Sequence, residues 1–131
     1  MVSGVWGPLD IDLIIADKEL IASTIGLFVL GEAHHFQYVW EFTDNTVALS
    51  AIRSLTPSTP LSQRLCAARV IWCSDRSVFV MAERITSANN EWADIGSRPV
   101  TRGGPAAVAT MAASLGFEFV DFHVVDWREI L

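Results

Sequence analysis

An alternating run of aromatic residues is the feature that most constrains how this chain can fold. Between residues 35 and 44, large aromatic side chains occupy every second position and mostly polar residues lie between them. The alternating residues are Phe36, Tyr38, Trp40 and Phe42, followed in the same register by Asp44. Because successive side chains of a β-strand point to opposite faces, the run predicts a strand with one aromatic face. We expect this face to belong to the core; the alternative is a platform on which nucleic-acid bases stack.

Helices and further strands are predicted on both sides of this strand. Glycine and proline residues separate the predicted elements, and the two prolines within residues 56–60 force a loop. The predicted strands are 2–6, 35–44, 77–85 and 117–125, and the predicted helices are 11–30 or 13–30, 45–55, 61–73, 91–97 and 106–115. Gly31 is expected to end the first helix, Asp10 or Asp12 to cap its start, and Asn90 to cap the helix at 91–97. This order predicts an α/β fold with a mixed sheet covered by helices.

Size and charge restrict the classes of protein to which the chain can belong. With 131 residues and 51% hydrophobic residues, it is long enough to bury one core as a single domain. The formal net charge of -6 argues against broad electrostatic attraction to nucleic acid or anionic lipid. Acidic groups gathered around bound cations can reverse the local field, so an acidic nuclease remains compatible with this charge.

Nothing in the sequence indicates export or membrane insertion. The N-terminus has no basic start followed by an apolar core, and no apolar stretch approaches the roughly 20 residues that a membrane span needs. Cys66 and Cys73 lie on one predicted helix, about 10 Å apart by helical rise, which is too far for a disulfide. We therefore expect reduced thiols and an intracellular protein, cytoplasmic or nuclear, without a membrane partner.

Three acidic residues occupy positions that suit a binding site. Asp44 ends the aromatic strand, and ligands of α/β sheets bind beyond such carboxyl ends, although Asp44 could also simply cap the next helix. Glu19 lies on a helix face that otherwise holds small residues, where close packing on a sheet is possible. Asp94 lies one turn into a predicted helix. Arg98 after it could pair with a carboxylate or a phosphate, and Arg102 could meet a backbone phosphate.

Taken together, three short motifs resemble the ribonuclease H domain of retroelement (retrotransposon) reverse transcriptases. Residues 19–22 read E-L-I-A, residues 43–45 read T-D-N, and residues 90–98 read N-E-W-A-D-I-G-S-R. In that family an E-L-x-A helix, a T-D strand end and an N-x-x-A-D-x-x-S-R segment occur in this order, and the last motif is the most specific. We interpret residues 1–99 as the ribonuclease H-like domain and residues 100–131 as a C-terminal helix and strand packed on it.

The resemblance implies a metal-dependent endonuclease that hydrolyses the RNA strand of an RNA–DNA hybrid. In the family, two Mg²⁺ ions, which Mn²⁺ can replace, are held among four carboxylates; such hard cations prefer oxygen ligands. Glu19, Asp44 and Asp94 match three of these acids and are implied as both catalytic residues and metal ligands. The same motifs imply that substrate is bound by Asn45, Asn90, Ser97 and Arg98.

The family's first acid has no counterpart in this sequence. Either the chain is an N-terminally incomplete ribonuclease H-like fold from a longer polyprotein, in which a reverse transcriptase domain is the neighbouring partner, or the family's first strand has been lost or replaced. Asp10, Asp12 or Asp121 could replace the missing acid, and enzymatic activity depends on such a completion. The alternatives are a catalytically inactive ribonuclease H-like module, structural or nucleic-acid-binding, and an unrelated α/β domain in which the motif matches are accidental.

Overall fold

The computed structural model of the chain describes residues 2–3, 6–7, 10, 12–54, 57, 59–98, 101–116, 123–124 and 127–130. In these residues the elements are β1 Val2–Ser3, α1 Ile15–His34, β2 Tyr38–Thr43, α2 Thr46–Ser54, α3 Pro60–Arg76, β3 Phe79–Arg84, α4 Glu91–Ser97, α5 Gly104–Ser114, β4 His123–Val124 and α6 Trp127–Ile130. The predicted order is confirmed up to β4, with most element ends shifted by a few residues. None of the described helices is both long and apolar enough to cross a bilayer.

Two parallel strand pairs form the β-structure of the described residues. β2 pairs with β3 along its whole length, from Tyr38 beside Phe79 to Thr43 beside Arg84. β1 pairs with β4 in the same parallel sense. The α/β class is confirmed, whereas the described strands form two separate pairs and not one mixed sheet. Most of the predicted last strand, at positions 117–122 and 125, lies outside the described residues. Asp121 is one of these residues.

The prediction that Gly31 ends the first helix is wrong. α1 continues to His34, and His35 adopts a left-handed conformation with φ of 54° while its N–H donates to the Gly31 carbonyl. Gly31 itself is buried within the helix, and a Cβ built there would overlap the ring of Trp72 from α3. The glycine is therefore needed for the close approach of two helices, which is a contact between residues distant in sequence.

The predicted caps of α1 and α4 are also wrong. The residue before α1 is Ile14, which offers no capping side chain, and Asn90 before α4 makes no side-chain cap either. Asp10 is instead buried, where it accepts a hydrogen bond from the Gly7 N–H at 2.6 Å and forms an ion pair with Arg128 at 2.5 Å. Burial of Asp10 is possible because this charged partner comes from α6.

A capping box begins α3 directly after the proline-containing loop. The Thr59 hydroxyl accepts a hydrogen bond from the Ser62 N–H at 3.0 Å, and the Ser62 hydroxyl accepts one from the Thr59 N–H at 3.0 Å. Pro60 occupies the first turn, where its missing N–H costs nothing. The Thr59 hydroxyl also lies 3.1 Å from the buried Asp17 carboxylate of α1, which ties the starts of the two helices together.

The core lies between the helices and one face of the β2–β3 pair. Its larger cluster consists of Leu20, Ile21, Ile25, Ala51, Leu65 and Cys66, and a smaller one consists of Leu27, Trp72 and Val78. Val39 and Val80 pack against the smaller cluster from the sheet. The cysteines are free thiols, as expected, and burial raises the pKa of the Cys66 thiol.

The expectation that the aromatic face of β2 is part of the core is wrong. Tyr38 is 73% exposed, Trp40 56% and Phe42 52%. The helices that cover the sheet pack on the face of Val39 and Val80, and the alternation of β2 necessarily turns the aromatic side chains to the other side.

Candidate functional site

Asp44 lies at the carboxyl edge of the parallel β2–β3 pair. It is the first residue after β2, and its carboxylate accepts a hydrogen bond from the Ser87 hydroxyl at 3.1 Å. Ser87 is the third residue after the end of β3. Because parallel strands end at the same edge of a sheet, the hydrogen bond joins two segments at the edge where α/β proteins bind ligands. Sequence reasoning missed Ser87, since only the pairing of β2 with β3 brings it to Asp44.

Asn45, and not Asp44, caps the following helix. The Asn45 side-chain oxygen accepts a hydrogen bond from the Ala48 N–H at 2.8 Å, while its own N–H donates to the Thr43 hydroxyl at 3.2 Å. This arrangement satisfies an N–H of the first turn of α2 that would otherwise have no partner. Asp44 is thereby released from the capping role that its position allowed, and the oxygen of Asn45, an implied substrate-binding residue, is committed to the helix.

The charge of Asp44 acts on Glu19 of α1. Partial loss of water around its side chain, and then the negative charge of Asp44, raise the pKa of Glu19 above its ordinary value. In the part of the chain that the structure describes, neither carboxylate has a lysine or arginine partner. Two acids that repel each other without a compensating cation are the arrangement that a divalent metal ion would stabilise.

Asp94 is held by arginines of its own neighbourhood. Its carboxylate forms ion pairs with Arg98 at 2.9 Å and with Arg102 at 2.5 Å, and Arg102 also lies 3.3 Å from Glu91. The hydrogen bond from Arg102 is the main cause of the lowered pKa of Asp94, and Arg98 contributes to the same effect. Asp94 in turn raises the pKa of Arg102.

The implied set of three metal ligands is therefore brought together only in part. Among the described residues, no group of three histidine, cysteine or acidic side chains is placed to hold a metal ion. Glu19 and Asp44 are linked by the effect of one charge on the other, and both provide the oxygen ligands that Mg²⁺ or Mn²⁺ requires. Asp94 does not fit a cation in its present pairing, because both of its oxygens face guanidinium groups.

The remaining implied substrate-binding residues lie around α4 and make contacts within it. The Ser97 hydroxyl donates to the Asp94 carbonyl at 2.9 Å, and Arg98 is paired with the Asp94 side chain. Asn90 precedes the helix, with its carbonyl accepting from the Asp94 N–H at 3.1 Å. These contacts stabilise α4 itself, and substrate binding by Asn90, Ser97 and Arg98 stays a prediction.

Two of the acids that could replace the family's first acid differ in their surroundings. Asp10 is paired with Arg128, as described above, which makes it a structural residue of the N-terminal segment. Asp12 is exposed.

Comparison with known proteins adds no relative to this description. No protein-family model matches the chain, and neither a curated protein nor a solved structure is similar enough to be matched with it. Three sequence motifs and the position of Asp44 at the sheet edge remain the indications of a site.

Proposed function

We propose that this chain is a ribonuclease H-like domain that binds Mg²⁺ or Mn²⁺ between Glu19 and Asp44 and hydrolyses the RNA strand of RNA–DNA hybrids. The observation that carries the proposal is the position of Asp44 at the carboxyl edge of two parallel strands, from which its charge raises the pKa of Glu19. Both acids also belong to the motifs that resemble retroelement ribonuclease H domains. That resemblance makes a retroelement polyprotein, with a reverse transcriptase domain as neighbour, the context in which the activity would be used.

Glu19 and Asp44 would bind the cation through their carboxylate oxygens and balance its positive charge. Their mutual repulsion in the free protein favours cation binding, because a bound cation removes it. The chemistry that bound Mg²⁺ supplies is activation of the attacking water and stabilisation of the leaving oxygen. The Ser87 hydroxyl orients the Asp44 carboxylate by donating a hydrogen bond to one of its oxygens.

Asp94 would become a third metal ligand only after Arg98 and Arg102 have formed ion pairs with other groups. Guanidinium groups bind phosphate as well as carboxylate, so the backbone of a bound hybrid competes with Asp94 for Arg98 and Arg102. Substrate binding would then both neutralise phosphate charge and release a third carboxylate. This coupling offers one way in which an acidic protein could require its substrate to complete its metal site.

The second candidate is a catalytically inactive ribonuclease H-like module with a structural or nucleic-acid-binding role. Pairing of Asp94 with two arginines favours it, as does the lack of a three-ligand group in the described residues. Such a module would bind a cation weakly or not at all and would not cut RNA. The two candidates therefore differ in a measurable reaction.

Cleavage of a labelled hybrid in the presence of Mg²⁺ or Mn²⁺ tests the first candidate. The wild-type protein is expected to cut the RNA strand, and Asp44→Asn and Glu19→Gln are expected to abolish most of the cutting. Asp75→Asn is the matched control, because Asp75 lies near the end of α3, which leads into the start of β3 and thus to the opposite edge of the sheet. Equal cleavage by the wild type and Asp44→Asn would show that the nuclease activity has another source.

Mn²⁺ binding separates the two candidates when no cleavage occurs. It is measured through the paramagnetic broadening that Mn²⁺ causes in nuclear magnetic resonance signals. Broadening centred on Glu19 and Asp44 without cleavage supports the inactive module, whereas no broadening there removes the metal site. Arg102→Ala extends the test to Asp94, because it removes the strongest partner of that carboxylate. Tighter Mn²⁺ binding by this variant would include Asp94 among the ligands, and unchanged binding would exclude it.

A further inference from the structure

One face of the β2–β3 pair presents a continuous apolar surface to solvent. We define the aromatic face as Tyr38, Trp40 and Phe42 of β2 with Phe79 and Met81 of β3. The strand register arranges them in rows, in which Tyr38 lies beside Phe79 and Trp40 beside Met81. The rings of Tyr38 and Phe79 stack with centroids 5.8 Å apart. Phe79 is 65% exposed and Met81 52%, so no member of the aromatic face is more than half covered.

The exposed area is large for a protein of this size. An aromatic side chain has about 150–250 Å² of surface, so five large side chains exposed by more than half present on the order of 600 Å². Contiguous apolar patches of this extent on soluble domains mark interaction sites. The aromatic face therefore has the size that is typical of an interaction site.

We propose that a second copy of this chain covers the aromatic face, so that the protein is a homodimer whose β2–β3 pairs pack face to face. Two copies would together bury about 1,200 Å², which reaches the lower limit of specific, stable protein interfaces. Sheets pack in this way about 10 Å apart, with strand directions within about 30° of each other. The inference concerns assembly and does not depend on the proposed nuclease function.

The arrangement of polar groups on this face suits a two-fold axis. The third row pairs Phe42 with Glu83, so Glu83 and the hydroxyl-bearing Tyr38 lie at opposite ends of the face. An axis perpendicular to the strands would place the Tyr38 row of one copy over the Glu83 row of the other, with the Trp40 row meeting itself at the centre. Each Glu83 carboxylate would then face the end that carries a tyrosine hydroxyl, a hydrogen-bond donor.

Charge favours a protein occupant over a nucleic acid. Surfaces that stack the bases of single-stranded nucleic acid combine aromatic rings with a positively charged groove. Here the three rows hold one acid, Glu83, and no lysine or arginine, while Arg84 of β3 alternates to the other face. A second copy meets an apolar centre without bringing acidic groups together there.

Molar mass measured by sedimentation across a wide range of protein concentration tests the proposal. The wild-type chain is expected to be a dimer that dissociates on dilution. Trp40→Lys, in the central row, is expected to weaken dimerisation at least roughly thirtyfold, the loss typical of a central interface tryptophan. Ile71→Lys is the matched control, because Ile71 is 61% exposed on α3, away from the sheet, and the change of charge is the same. This control should dimerise like the wild type.

Hydrogen exchange on the wild type supplies a test that needs no variant. Amides of β2 and β3 are expected to exchange more slowly at high protein concentration than at low, while those of α3 do not change. A wild type that is monomeric at every concentration would overturn the proposal, as would equal dimerisation by a folded Trp40→Lys variant. Single-stranded oligonucleotide binding that Trp40→Lys abolishes, in a monomeric wild type, would assign the face to base stacking and would also overturn it.

Discussion

The Arg69 guanidinium of α3 forms an ion pair with the Glu41 carboxylate of β2, and the two side chains are only 6% and 12% exposed. The Ser23 hydroxyl of α1 donates to the other Glu41 oxygen at 2.7 Å, and Arg69 lies 3.4 Å from the Thr24 hydroxyl. Two helices and β2 therefore meet at one polar cluster inside an otherwise apolar layer. Such a cluster is stable only while each charge keeps its partner.

Replacing Arg69 with methionine is expected to lower the free energy of unfolding by about 3–5 kcal/mol, because Glu41 would remain buried without a cationic partner. Urea denaturation followed by circular dichroism measures the change. Arg64→Met on the exposed side of α3 is the control and should have little effect. The double variant Arg69→Met with Glu41→Leu should recover much of the loss, and a double variant less stable than Arg69→Met would contradict this explanation.

Gly31→Ala and Gly26→Ala are expected to change stability in opposite directions, although both glycines lie within α1. Alanine at position 31 would collide with Trp72, and such overpacking costs about 1–3 kcal/mol. A Cβ at position 26 meets nothing within 4 Å, so this change should add about 0.5–1 kcal/mol through helix propensity. Thermal denaturation of the two variants measures both changes in stability. Stabilisation by Gly31→Ala would mean that α1 and α3 are farther apart than the overlap with Trp72 requires.

Asn45 and Asn90 form a matched pair for testing helix capping. Asn45→Ala should cost about 1 kcal/mol, because the Ala48 N–H loses its acceptor, and Asn45→Ser should restore most of the loss. Asn90 makes no side-chain cap, so Asn90→Ala should be nearly neutral. Chemical denaturation compares the three variants. A similar loss for both alanine substitutions would refute the assignment of the cap.

Arg102→Ala is expected to raise the pKa of Asp94 toward its ordinary value, as measured by nuclear magnetic resonance titration of the carboxyl group. The pair lowers the pKa of Asp94 in the folded protein, so its stabilisation is present above the unfolded-state pKa and is lost as pH falls through the folded-state pKa. Acidification should therefore destabilise the wild type more than the variant.

Asp44→Asn is expected to lower the pKa of Glu19, because it removes the neighbouring negative charge but not the partial desolvation. A raised pKa in the folded protein means that stability falls as pH rises from the ordinary pKa of Glu19 through the raised one. The variant should show a smaller fall over this window. Titration of Glu19 in both proteins measures the effect, and an unchanged pKa would place the two carboxylates too far apart to share a cation.

Local pattern was sufficient for the elements that contain the site. The alternation from Phe36 to Asp44 predicted β2 and placed Asp44 at its end, and the helix at 91–97 was predicted with its observed ends. Glu19 was selected from its motif, and the charge of Asp44 helps to raise its pKa. Ser87 had no motif, and the retention of Asp94 by Arg102 was not foreseen, because both depend on contacts that form after the elements assemble.

By itself the sequence determined the order of the helices and strands, the alternation of β2 and the reduced cysteines, since each follows from periodicity or spacing along the chain. The tertiary structure alone decided that Gly31 accommodates Trp72 instead of ending a helix, and that the aromatic side of β2 faces solvent. It also decided that Arg98 and Arg102 hold Asp94. A period of two residues distinguishes two faces of a strand but does not say which of them the helices will cover, because that choice depends on packing between residues far apart in sequence.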